Sequence, residues 1–233
     1  MSEYKAVPIL PGFTSIEDEG VRFFLFEGEN EALLVDTGFG RGDLKAFLST
    51  LTDKPVTTVV LTHADGDHSG GCAQFEDAVF RMHPAEYGFF SADNAALAER
   101  MRPAWEGDEI CIGEYRLRVV HIPGHTPGSI ALLDEEHRFL LGGDTVQSGI
   151  VFMFGTGRSL HAFLHSIEKL ETVADRFDIV YASHRALEVP TDILPEQAQA
   201  ARDILDGKIP GREPEGPFPC KLYERGRVRF YYQ

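Results

Sequence analysis

Residues 61–71 read LTHADGDHSGG and follow directly on the β-branched apolar run VTTVVL of residues 56–61. Such a run reads as a buried strand, so the stretch is a loop at that strand's C-terminal end. Two histidines and two aspartates crowd into it: His63, Asp65, Asp67 and His68. A lone histidine is usually structural, and Asp-Gly usually marks a turn. Three further residues outweigh that bland reading. His125 stands in IPGHTPGS, where Gly124, Pro127 and Gly128 enforce tight turns. Asp144 stands in LLGGDT and His184 in YASHR, each after a strand-like run. Imidazole and carboxylate are the donors that zinc, iron and manganese take. The set therefore reads as a metal site held on strand ends, where functional loops are commonly fixed.

The remaining pattern supplies strands in runs with helices between the runs. Residues 21–27 and 31–36 read as a hairpin around the 28–30 turn, and residues 78–82 as another strand. Residues 42–51 read as a short amphipathic helix and residues 84–101 as a longer one. Strands follow at 109–112, 115–122, 129–134, 138–141 and 179–182. A helix is expected over 159–176 with Ser159 as its N-cap. Another is expected over 195–206, with proline at its start and Gly207 as its stop. A Gly/Pro-rich loop spans 209–219, and residues 221–232 close as a hairpin around Arg225 and Gly226. This order implies sheets covered by helices on their outer faces, an α+β or layered α/β architecture. A chain of 233 residues suits one large domain or two small ones; a single domain over 1–233 is expected.

Composition narrows the partners. Thirty-seven acids against 22 bases give a net charge of −15, with no basic run and no interleaving of aromatic and basic residues. Nucleic acid is not expected as a partner, nor is a membrane, because no apolar run approaches the ~20 residues of a span. The opening MSEYKAVPILPGF lacks the pattern of a signal peptide. Cys72, Cys111 and Cys220 are odd in number and widely spaced, which suits a reducing cytoplasm rather than a disulfide framework. A small-molecule substrate is expected, with a homodimer as an open alternative.

The motifs resemble those of the metallo-β-lactamase superfamily. That family carries H-x-H-x-D-H after a strand, a histidine in a GHTPGS-like turn, a bridging aspartate and a late histidine. His63, Asp67 and His68 match the first motif, and His125, Asp144 and His184 match the others. Asp36 in LLVDTG matches a buried aspartate that braces the metal loop. The resemblance runs from about Val21 to His184. It implies an α+β fold, a four-layer αββα sandwich, with the site at one edge of two packed sheets. It also implies two divalent metal ions, zinc foremost, with iron or manganese as alternatives. His63, Asp65 and His125 would hold the first ion, Asp67, His68 and His184 the second, and Asp144 would bridge them. Asp67 and Asp144 are the carboxylates assigned to catalysis. The family's usual nucleophile is a hydroxide between the ions, available because metal lowers the pKa of water toward ~7.

Asp65 departs from the family pattern, which has its second histidine there. An aspartate in place of a neutral ligand takes the two-ion centre with its hydroxide from one net positive charge to neutral. The bound water should then be less acidic, and harder ions should be favoured. Flavodiiron oxygen reductases of the same superfamily also carry a carboxylate at this position. If Asp65 acts this way, Asp65→His moves the metal-linked limb of the pH–rate profile to lower pH; an unmoved limb contradicts the charge argument.

The sequence thus predicts a metal-dependent hydrolase acting on a small ester, thioester, lactone or amide, similar to the glyoxalase II-like and lactonase branches. The alternatives are an iron oxidoreductase of oxygen or persulfide chemistry, and a non-catalytic metal-binding module. For substrate contacts, the glycine-punctuated residues 146–158 are read as a pocket-wall loop carrying Phe152, Phe154 and Arg158. His83, His121, His161 and His165 are read as structural or surface residues.

Overall fold

The computed structural model describes residues 4–93, 95–214 and 216–233. The chain divides after Val119 into two compact units, each with its own apolar core. The first carries a seven-stranded mixed sheet whose strands lie side by side in sequence order: β1 (Lys5–Leu10), β2 (Phe13–Asp18), β3 (Val21–Glu27), β4 (Ala32–Val35), β5 (Val56–Val60), β6 (Val79–Met82) and β7 (Met101–Pro103). The pairs from β1 to β4 are antiparallel; those from β4 to β7 are parallel. Helices α1 (Leu44–Leu48), α2 (Gly66–Ser69), α3 (Tyr87–Asp93) and α4 (Ala95–Ala98) punctuate the parallel half. Strands β8 (Glu109–Ile112) and β9 (Tyr115–His121) form an antiparallel hairpin.

Burial explains the apolar run VRFFLFE. Alternate residues of a strand face opposite sides, and here both sides are covered. Phe23 and Leu25 join the core with Leu44, Phe75 and Phe90. On the other side Phe26 stacks on Phe13 at 4.3 Å between ring centroids and meets the Tyr115 edge at 5.1 Å. The parallel pairing then decides where loops emerge. Val35 of β4 lies opposite Val60 of β5, so the chain leaves both strands at the same sheet edge, Asp36 from one and residues 61–71 from the other.

The second unit carries strands in the order β14-β13-β11-β10: β10 (Ile130–Asp134), β11 (Phe139–Leu141), β13 (Ile179–Tyr181) and β14 (Glu188–Pro190). A separate three-stranded sheet, β12-β16-β15, is built from β12 (Gly149–Met153), β15 (Lys221–Arg225) and β16 (Val228–Tyr232). Helices α5 (Leu160–Glu171) and α6 (Ile193–Leu205) pack on each other and contribute to the core with Phe163, Ile167, Leu170 and Ala198. Strands β11 and β13 are parallel, with Leu141 opposite Tyr181. Antiparallel β10 begins beside the end of β11, since Leu132 pairs with Leu141. Residues 125–129, 142–147 and 182–187 therefore emerge at one edge.

The α+β character with mixed sheets and helices is as expected, but several elements differ. Residues 84–101 are not one helix: Pro84–Glu86 is a single 3-10 turn, α3 and α4 follow, and Met101–Pro103 pairs parallel with β6. β12 replaces the expected loop within 146–158; its glycines lie at the start, Gly149, and just beyond the end, Gly155. The hairpin β1–β2 was masked by Pro8 and Pro11, and the register shifts between Pro8 and Leu10. α5 starts at the expected Ser159, whose hydroxyl accepts from Ala162 N. α6 begins at Ile193, ahead of Pro195, whose missing N–H falls in a first turn that lacks intrahelical acceptors anyway. Among the described residues no helix is long and apolar enough to cross a membrane.

Candidate metal centre

In the first unit Asp36 organises the donor loop. It is 1% exposed and sits at φ +64°, a left-handed conformation that aspartate tolerates better than most residues. Its Oδ1 accepts from Thr62 N at 2.7 Å, and its Oδ2 accepts from Thr62 Oγ1 at 2.7 Å and from His68 Nδ1 at 2.8 Å. Because the Thr62 hydroxyl proton is committed to Asp36, the 3.0 Å contact of Thr62 Oγ1 with His63 must use the proton of His63 Nδ1. Both rings thus carry their proton on Nδ1 when neutral, and both Nε2 lone pairs point the other way. The rings lie 4.1 Å apart. His63 Nε2 stands 3.7 Å from Asp65 Oδ2, and His68 Nε2 stands 3.8 Å from Asp67 Oδ2.

The loop contains one turn of helix, α2, which rotates Asp67 and His68 relative to His63. Asp65 is its N-cap residue, yet its carboxylate makes no capping bond, so capping does not explain an aspartate there. Gly66 has room for a side chain, whereas a Cβ on Gly70 would lie 2.4 Å from Phe39 O. The close approach that needs glycine is thus at the end of the motif. Thr37 holds that end: its N–H and hydroxyl both donate to His68 O, at 2.7 and 3.0 Å, and its Oγ1 accepts from Gly71 N. Cys72 beside it is buried, and burial pushes its thiol up to about 12, an inert state. Sequence reasoning missed Glu86, a fully buried carboxylate whose Oε2 accepts from Ala64 N at 2.9 Å. Nothing in HPAEY distinguishes it from a solvated helix-start acid; parallel β5 and β6 bring it beside the loop.

The second unit brings His125, Asp144 and His184 together. His125 Nδ1 donates to the carbonyl of Phe152 at 2.8 Å, so its neutral ring also has its lone pair on Nε2. That atom lies 3.6 Å from Asp144 Oδ2, and His184 Nε2 lies 3.3 Å from Asp144 Oδ1. The turn before β10 is tied by Thr126 N to Ser129 Oγ at 3.0 Å and by His121 Nε2 to Pro127 O at 3.0 Å. Gly124 sits at φ +146°, and a Cβ there would come within 2.4 Å of Phe163 Cα, so only glycine lets α5 approach this turn. Two buried glutamines, also missed, fix the segment after Asp144. Gln197 donates to Thr145 O and Gln147 O, at 3.1 and 3.2 Å, and Gln147 donates to Ile150 O at 2.7 Å.

These donor sets fit a divalent ion. Two ligands ~2.0–2.2 Å from a tetrahedral ion stand ~3.3–3.6 Å apart. The imidazole-to-carboxylate separations of 3.3–3.8 Å in the two units lie at or just beyond that span. An unprotonated Nε2 facing a carboxylate gains nothing from it directly, and a cation between them reverses the sign of that contact. Phe152 and Phe154 are half-buried at the end of β12, and Arg158 is half-buried ahead of α5 with Nη1 3.5 Å from Thr156 O.

A family model described as "Metallo-beta-lactamase superfamily" matches residues 17–184. The chain belongs to the metallo-β-lactamase superfamily. A protein named acyl-coenzyme A thioesterase MBLAC2 from Gallus gallus is 30% identical over 189 residues, covering 66% of this chain and 67% of the relative. A hydroxyacylglutathione hydrolase of Rhodopseudomonas palustris is 29% identical over 137 residues, covering 55% of this chain and 48% of the relative. Among solved structures, a metallo-β-lactamase from Pontibacter korlensis superposes with a TM-score of 0.73 at 17% identity, covering 86% of this chain and all of that one. The chain thus has the metallo-β-lactamase fold, and its membership and hydrolase relatives make it an enzyme of the metallohydrolase class.

Proposed function

We propose that the two units act as one domain and that their donor sets share two divalent metal ions, zinc foremost, in a hydrolase for small acyl thioesters or esters. His63, Asp65 and His125 would hold one ion, Asp67, His68 and His184 the other, with Asp144 between them. The observation that carries this reading is the shared tautomer of His63, His68 and His125, whose Nδ1 protons are all committed to oxygen acceptors and whose Nε2 lone pairs are left for a metal. When bound, divalent ions supply Lewis acidity, which acidifies water and polarises a carbonyl. The chain itself holds the donors in place and fixes their tautomers through Asp36, Thr62 and the Phe152 carbonyl, as outer partners of metal ligands commonly do.

Thioesters lead the substrate classes because one relative is named an acyl-coenzyme A thioesterase and another a hydroxyacylglutathione hydrolase. Three free cysteines suit a cytoplasmic setting. Asp65 supports a second reading, since its carboxylate favours a harder ion such as iron or manganese. The test is turnover of an acyl thioester series by metal-replete and chelator-stripped protein. Hydrolysis that disappears on stripping and returns with zinc is expected; hydrolysis that survives stripping, or none on any thioester or ester, contradicts the proposal. Recovery with iron or manganese but not zinc favours the second reading.

A further inference from the structure

Four aromatic side chains of the second unit meet in one cluster. The Phe152 ring lies 5.8 Å from Phe154, 6.0 Å from Phe218 and 5.2 Å from Tyr231, and Phe218 lies 5.1 Å from Tyr231. Phe152 and Tyr231 are register partners on β12 and β16. Phe230, on the opposite face of β16, is fully buried against Phe163. The cluster is not closed in that way. Phe152 and Phe154 are half-buried, and Phe218 is 39% exposed. Phe218 is contributed by the Gly/Pro-rich segment, which Gln233 ties to the end of β12: its Nε2 donates to Pro219 O at 2.9 Å and its Oε1 accepts from Gly155 N at 3.3 Å.

This open aromatic face joins the candidate centre through one residue. Phe152 presents its ring to the cluster while its carbonyl fixes His125. A substrate with its scissile carbonyl at His125 and Asp144 would meet the Phe152 and Phe154 rings at the end of β12, whereas Arg185 packs against Gly149 at its start. Aromatic faces bind apolar chains by burying their surface, and no side chain of the four carries a charge to match a polar substituent.

We propose that Phe152, Phe154 and Phe218, backed by the buried Tyr231, form an acyl-binding face, and that the substrate carries a straight apolar acyl chain longer than butyryl. The position of the scissile bond rests on the hydrolase reading; the chain-length preference of the face does not. Isothermal titration calorimetry of the metal-replete, full-length protein with octanoate and butyrate separates the two. Both probes carry the same carboxylate, so their difference reads the extra methylenes. Octanoate is expected to bind about tenfold tighter, and Phe154→Ala and Phe218→Ala are each expected to reduce that preference to about threefold or less. Equal affinities, or a tenfold preference that persists in both variants, overturn the acyl face. In parallel, the octanoyl-to-acetyl ratio of kcat/KM on thioesters should fall with the calorimetric preference; a ratio that does not follow it counts against the acyl face. Failure to hydrolyse any thioester or ester defeats the hydrolase reading, while the calorimetry still decides the face.

Discussion

Asp144→Ala is expected to lower hydrolysis by more than ~100-fold, beyond what removing an outer partner of a metal ligand costs, and to leave less metal bound to each chain. The reason is its place between two imidazoles. Its two oxygens face His125 Nε2 and His184 Nε2 at 3.6 and 3.3 Å, and the residue is 7% exposed. Without the carboxylate, His125 and His184 lose the anion that faces both of them, and a cation held there would keep only Asp65 or Asp67 as its anionic ligand. The backbone around it is held independently by Gln197 and Gln147, so the variant should melt close to wild type. Asp144→Asn keeps the shape and removes the charge, and should fall between the two. Metal content by elemental analysis, a thermal melt and kcat on a thioester read these outcomes. A variant that keeps full metal and full rate removes Asp144 from the centre.

Asp36→Ala should act on stability as well as on metal. Three donors converge on the buried carboxylate: Thr62 N, Thr62 Oγ1 and His68 Nδ1. Each buried donor left unsatisfied costs about 1–3 kcal/mol, and alanine at φ +64° adds about 1 kcal/mol. Since rearrangement recovers part of this, the expected loss is about 3–5 kcal/mol, a large share of the ~5–15 kcal/mol that holds a domain. The released His63 and His68 rings should also weaken metal binding by about 10–100-fold. Asp36→Asn tolerates the left-handed backbone and keeps one acceptor, so it should lose less stability while still weakening metal. Denaturant unfolding and a chelator competition measure the two effects separately. An Asp36→Ala protein as stable as wild type contradicts the bracing role.

Much of the candidate site was legible in the sequence because its donors are chemically distinctive. Histidines and aspartates concentrated in HADGDH, and repeated after strand-like runs, stand out from the apolar background. The residues that hold those donors were harder to read. Asp36 came through the family resemblance, while Glu86 and Gln197 did not, because a buried carboxylate or amide looks the same in sequence as a solvated one. Their burial is set by tertiary pairing, β6 beside β5 for Glu86 and α6 against the loop after Asp144 for Gln197. The fold divided along the same line. VRFFLFE and VTTVVL announced themselves by apolar content, whereas β7 and β12 were hidden by a helix-like run and by flanking glycines. Phe152 shows what such a misreading conceals. As part of a loop it was only an aromatic side chain, but on β12 its carbonyl fixes His125 and its ring is paired with Tyr231.

The most direct test is metal stoichiometry, by elemental analysis of protein purified without added metal or chelator. Two divalent ions per chain, lost together with thioester hydrolysis on chelation and regained on adding zinc, is the expected result. A folded protein that holds no divalent ion, takes up none when metal is supplied and hydrolyses thioesters regardless would contradict the two-metal centre.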